Sequence, residues 1–167
     1  ASITDGVGGF NTLRRPNEVK VVDIGYSTYA LVAAGHDHGL QIIDITDPTS
    51  PTAVASIIDG VGGFNKLRNA IGVTTVVISG NTYALITGYH DDGLEIADIS
   101  DPASPTAIAT ITDGVGGFNT LQGASHVETV VIGGHTYALV TAAIDDGLQI
   151  IDISDPASPT AVASITD

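Results

Sequence analysis

Two sets of carboxylates return at one spacing along this sequence, and between them they offer the ligands of a hard cation. Asp5, Asp59 and Asp113 each head the segment DGVGGFN, 54 residues apart. Asp37, Asp91 with Asp92, and Asp145 with Asp146 lie in short loops that read His36-Asp37-His38, His90-Asp91-Asp92 and Ile144-Asp145-Asp146, each closed by glycine. Carboxylates joined by carbonyls of a glycine-freed backbone are the oxygen ligands that Ca²⁺ takes. The spacing matches neither an EF-hand loop nor a nonapeptide calcium repeat. A plainer expectation therefore stands beside the cation: Asx turns along a solvated acidic rim. His36 and His38 flank one Asp and suit a transition metal, although the third copy carries Ile144 where the first two carry His.

Other chemistries find less. There is no cysteine and no Gly-x-Ser-x-Gly elbow, and the serines gather in turn segments, so nothing supports a nucleophile. The glycines of DGVGGFN are not followed by the Lys-Ser/Thr of a phosphate loop. Asp44, Asp98 and Asp152 sit inside the apolar third strand and recur in every copy, which points to a structural carboxylate accepting backbone or hydroxyl hydrogen bonds. Phe10, Phe64 and Phe118 read as loop anchors against a neighbouring unit rather than ligand platforms.

The elements that must position these groups are repeats. Gly39–Ile57 (GLQIIDITDPTSPTAVASI) returns as Gly93–Ile111 and Gly147–Ile165, again 54 residues apart and without a gap. Within the first copy, β-branched and apolar runs bounded by Gly, Pro, Asp and Ser predict strands at 19–24, 28–34, 40–46 and 52–57, recurring in the other two copies. No stretch sustains a helical period. Tyr29–Ala34 and Leu40–Ile43 are apolar almost without alternation, as in a sheet covered on both faces. Pro51, Pro105 and Pro159 open the fourth strand, where an outer edge tolerates a missing N–H. Together these features predict an all-β, β-propeller-type array of three tandem four-stranded antiparallel blades, incomplete on its own. The repeats span 6–58, 59–112 and 113–167, and residues 1–5 (ASITD) duplicate 163–167 and read as the end of a preceding outer strand.

The segments YALVAAGHDHGLQIIDITDP, YALITGYHDDGLEIADISDP and YALVTAAIDDGLQIIDISDP, each followed by SPTAV or SPTAI, resemble the LVIVD-repeat β-propellers. The resemblance covers all three copies and implies an exported or surface protein of bacteria or archaea. The repeat is long for that family, the DGVGGFN loop being the addition.

Charge narrows the partners. Nineteen acidic against five basic residues leave a formal −14, which repels phosphate backbones and anionic lipid, so nucleic acid and membrane are excluded as partners. No apolar run reaches the ~18 residues of a membrane span. The expected function is a non-catalytic, extracellular or cell-surface repeat protein with a structural, adhesive or assembly role. Its blades continue into copies of itself or a longer chain, as a ring (two copies would give six blades) or a filament. The alternatives are a Ca²⁺-dependent module binding a surface glycan or protein and, further off, a metal-dependent propeller hydrolase.

Overall fold

A computed structural model describes residues 2–167. Twelve strands form three four-stranded antiparallel meanders, with no helix among the described residues. The first blade contains β1 (Pro16–Ile24), β2 (Ser27–Ala34), β3 (Gly39–Asp44) and β4 (Thr52–Ile58). The second contains β5 (Ala70–Ile78), β6 (Asn81–Gly88), β7 (Gly93–Asp98) and β8 (Thr106–Thr112). The third contains β9 (Ala124–Ile132), β10 (His135–Ala142), β11 (Gly147–Asp152) and β12 (Thr160–Thr166). Neighbouring blades approach most closely at their first strands, β1 to β5 and β5 to β9, while their fourth strands stand apart. That fan is the propeller arrangement, open after three blades.

Each blade presents two apolar faces, for the reason the unbroken apolar runs suggest. Successive side chains of a strand point to opposite faces. On blade 1, Leu31, Leu40, Ile42 and Ile57 form the trailing face, packed with Phe64, Leu67, Val73 and Ile86 of blade 2. Leu85, Leu94, Ile96 and Ile111 repeat that face on blade 2, against Phe118, Leu121, Val127 and Val140 of blade 3. Ala30 and Ile43 point the other way with Phe10, on the leading face of blade 1. The buried phenylalanines thus anchor their loops, Phe64 and Phe118 within the clusters between blades. Every third strand meets the fourth through a bulge, between Ile42 and Ile43 in blade 1 and at the equivalent positions elsewhere.

The strand windows differ from expectation at three places. The third strands stop at Asp44, Asp98 and Asp152, two residues short of the predicted end, because each carboxylate turns to accept the amide two residues on, from Thr46, Ser100 and Ser154, at 2.8 Å. The first strands begin earlier, at Pro16, Ala70 and Ala124, because their partner strands extend across from them. Ser2–Thr4 form no strand. The third strand of a preceding blade, with which an outer strand pairs in every complete repeat, is not opposite them; Ala1 of the same predicted segment lies outside the described residues. Pro51, Pro105 and Pro159 stand one residue before the outer strands β4, β8 and β12.

Candidate functional site: the acidic rim and the blade junctions

The two sets of carboxylates do share one rim, where the DGVGGFN loops meet the turns between second and third strands. What they do there is hold loop backbone. Asp5, Asp59 and Asp113 accept the amides of Leu13, Leu67 and Leu121 at 3.1, 3.2 and 2.9 Å. Asp37, Asp91 and Asp145 accept those of Arg14, Arg68 and Gln122 at 2.7, 2.8 and 2.8 Å. Each blade therefore spends two carboxylates on pinning the segment that leads into its first strand. Among the described residues no three His, Asp or Glu side chains converge as a cation site would require.

The third position of the turn crosses to the next blade. His38 Nδ1 accepts the amide of Asn69 at 3.0 Å, and Asp92 Oδ1 accepts that of Gly123 at 2.8 Å. His36, His38 and His90 line a shallow cleft of about 350 Å³ at the first junction, with Arg15, Gly35 and Asn69. Both His36 and His38 border the cleft, and His38 also carries the blade-to-blade hydrogen bond.

A residue that the motif reading passed over is the most unusual group in the molecule. At the third position of the third strand, Gln41 and Gln149 hold the loop of their own repeat. Gln41 Oε1 accepts the amides of Asn11 and Thr12, and its Nε2 donates to the Ala55 carbonyl at 2.8 Å. Gln149 accepts from Asn119 and donates to Ala163 at 2.9 Å. Blade 2 has Glu95 there, fully buried. Its Oε2 accepts the amides of Asn65 and Lys66 at 2.9 and 3.0 Å, as the glutamines do. Its Oε1 is buried with no partner. The glutamines donate at this point to the carbonyls of Ala55 and Ala163; the equivalent residue in blade 2 is Ala109, whose carbonyl can only accept. Burial pushes the carboxyl up from 4.5 to about 7, against the two amide hydrogen bonds that lower it; Asp59 adds to the rise and Lys66 opposes it. A proton on Oε1 supplies the missing donor and makes Glu95 equivalent to glutamine. The signal was present in GLEIAD beside two copies of GLQIID.

The end faces complete the description. Ile165 is 58% exposed, whereas its counterparts Ile57 and Ile111 are each 1% exposed. Val19 is 59% exposed and its counterpart Val73 only 2%. An apolar hollow of about 270 Å³ lies on the trailing face of blade 3, lined by Val130, Ile132, Tyr137, Leu139, Ile150 and Val162.

The family model of the LVIVD repeat matches residues 26–59, 72–113 and 126–167. No curated protein sequence matches. In solved structures the fold is similar to exo-β-1,3-galactanase from Phanerochaete chrysosporium, with a TM-score of 0.60 at 10% identity, over 99% of this chain and 41% of that one. It is also similar to a GH43 β-1,3-galactosidase, with a TM-score of 0.56 at 12% identity, over 92% of this chain and 64% of that one. The chain thus spans less than half of the galactanase and under two thirds of the galactosidase, and at these identities the likeness concerns the fold.

Proposed function

The chain belongs to the LVIVD-repeat family, and from that premise we propose that it is a non-catalytic structural protein of the cell exterior whose blades stack end to end with those of further copies. One observation carries the reading: the trailing face of blade 3 exposes the apolar positions that blades 1 and 2 bury against the blade that follows. Exposed apolar faces of this kind drive association. Surface carboxylates committed to loop amides, repeated in every blade, fit a scaffold better than a reaction centre, which is needed once. The acidic surface keeps such an array soluble and repels nucleic acid. An outside location is in keeping with the family resemblance.

Electron microscopy of the purified 167-residue chain tests the reading, with closed rings or filaments as the expected particles. The melting temperature is expected to be indifferent to calcium and to chelator. A site of millimolar affinity would instead add about 1.4 kcal/mol at ~10 mM Ca²⁺. That rise would favour the alternative of a calcium-dependent glycan- or protein-binding module.

A further inference from the structure

The internal junctions specify what the end junction between two copies should look like. At the first, the acceptor is His38 (φ 54°) and the donor the amide of Asn69 (φ 55°); at the second they are Asp92 (φ 50°) and Gly123 (φ 69°). One repeat further along, the acceptor position is Asp146, with φ 48°, and one repeat back the donor position is Arg15, with φ 54°. Both residues hold the uncommon left-handed backbone of their counterparts, so the main chain at each end is shaped as in the two formed junctions. Neither has a partner across a junction among the described residues. The pattern of charge singles out this pair. The internal junctions set Arg68-Asn69 against Asp37-His38, and Gln122-Gly123 against Asp91-Asp92. The two ends carry Arg14-Arg15 on the leading rim and Asp145-Asp146 on the trailing rim. Two cations would face two anions only where the third blade of one copy meets the first blade of another. Trailing face against trailing face would instead bring four carboxylates together.

We propose that Asp146 accepts the Arg15 amide of a second copy, with the Arg14-Arg15 and Asp145-Asp146 charges setting the head-to-tail direction of assembly. This rests on the stacking reading above and deepens it. The contact continues the two established blade interfaces, so its occupant is a second copy of this chain rather than an unrelated protein.

Sedimentation of charge variants tests it. Arg15→Asp sets like charge across the junction and is expected to weaken association about tenfold at low salt. The effect should shrink as salt rises, because these rim charges face solvent. Asp146→Gly removes the acceptor without straining the left-handed backbone and is expected to weaken association at every salt concentration, whereas Asp146→Asn keeps an accepting oxygen and most of the association at high salt. Circular dichroism on each variant separates loss of contact from loss of fold. If Arg15→Asp or Asp146→Gly associates as well as the parent at every salt concentration, the assigned pair is wrong while the stacking reading stands. If the parent chain itself does not associate, both fall.

Discussion

Replacing Glu95 by glutamine is expected to stabilise the protein above neutral pH and to leave it nearly unchanged in mild acid. The buried carboxyl sits at about 7 in the folded chain against an ordinary 4.5, so the folded state holds this proton more tightly than the unfolded one. Its contribution to stability is therefore full below pH 4.5, declines as pH rises, and is lost through the folded value of about 7. That interval corresponds to on the order of 3 kcal/mol. Glutamine has no proton to lose, and by the geometry of Gln41 and Gln149 it donates to the Ala109 carbonyl at any pH. For a domain of this size the gain amounts to roughly 6–12 °C in Tm above pH ~8. The surface aspartates work in the opposite sense. Hydrogen bonds from Thr46, Thr49 and Ser154 hold Asp44, Asp47 and Asp152 below their ordinary 3.8, so their support is lost as pH falls through that region. The parent should be most stable in mild acid, and the Glu95→Gln chain should carry its stability on into alkaline solution. Thermal melts across pH decide it, and a variant no more stable than the parent above pH ~8 contradicts the account.

The same substitution at two equivalent leucines is expected to have opposite consequences. Leu85 is fully buried between blades 2 and 3, so Leu85→Glu places an unpaired carboxylate in an apolar junction. A loss of at least about 4 kcal/mol should follow, enough to unfold much of the array. Leu139 holds the same position one repeat later, lining the hollow on the open trailing face. There the new carboxylate reaches water. Leu139→Glu should keep the β-sheet circular dichroism spectrum and the melting curve of the dilute chain, yet abolish association in size-exclusion chromatography. An associating Leu139→Glu chain would show that the trailing face is not the contact surface.

The blades were legible because burial on both faces erases the alternation of a half-wet sheet, and Tyr29–Ala34 with Leu40–Ile43 carry that mark three times over. The ends of strands were less so. Asp44 lies in an apolar run and reads as strand, but the use of its carboxylate on the Thr46 amide is local geometry that composition does not display. The acidic rim was legible as a place and not as a task. Asp91 and Asp92 are adjacent, yet one holds the loop of its own blade and the other reaches the next blade. Which of the two does so depends on a single left-handed residue and on how the blades stack. Glu95 was legible in principle, since comparison of the three copies isolates it, but a search for clustered carboxylates looks past a solitary one.

The central claim is that the open faces are contact surfaces for further blades of the same kind. Sedimentation velocity of the unmodified 167-residue chain tests it most directly, over loading concentrations from about 1 to about 100 μM that span ordinary self-association constants. The account predicts a mass that climbs with concentration, towards a discrete two-copy ring or an extending polymer. A single soluble species of 16.9 kDa at every concentration would contradict it.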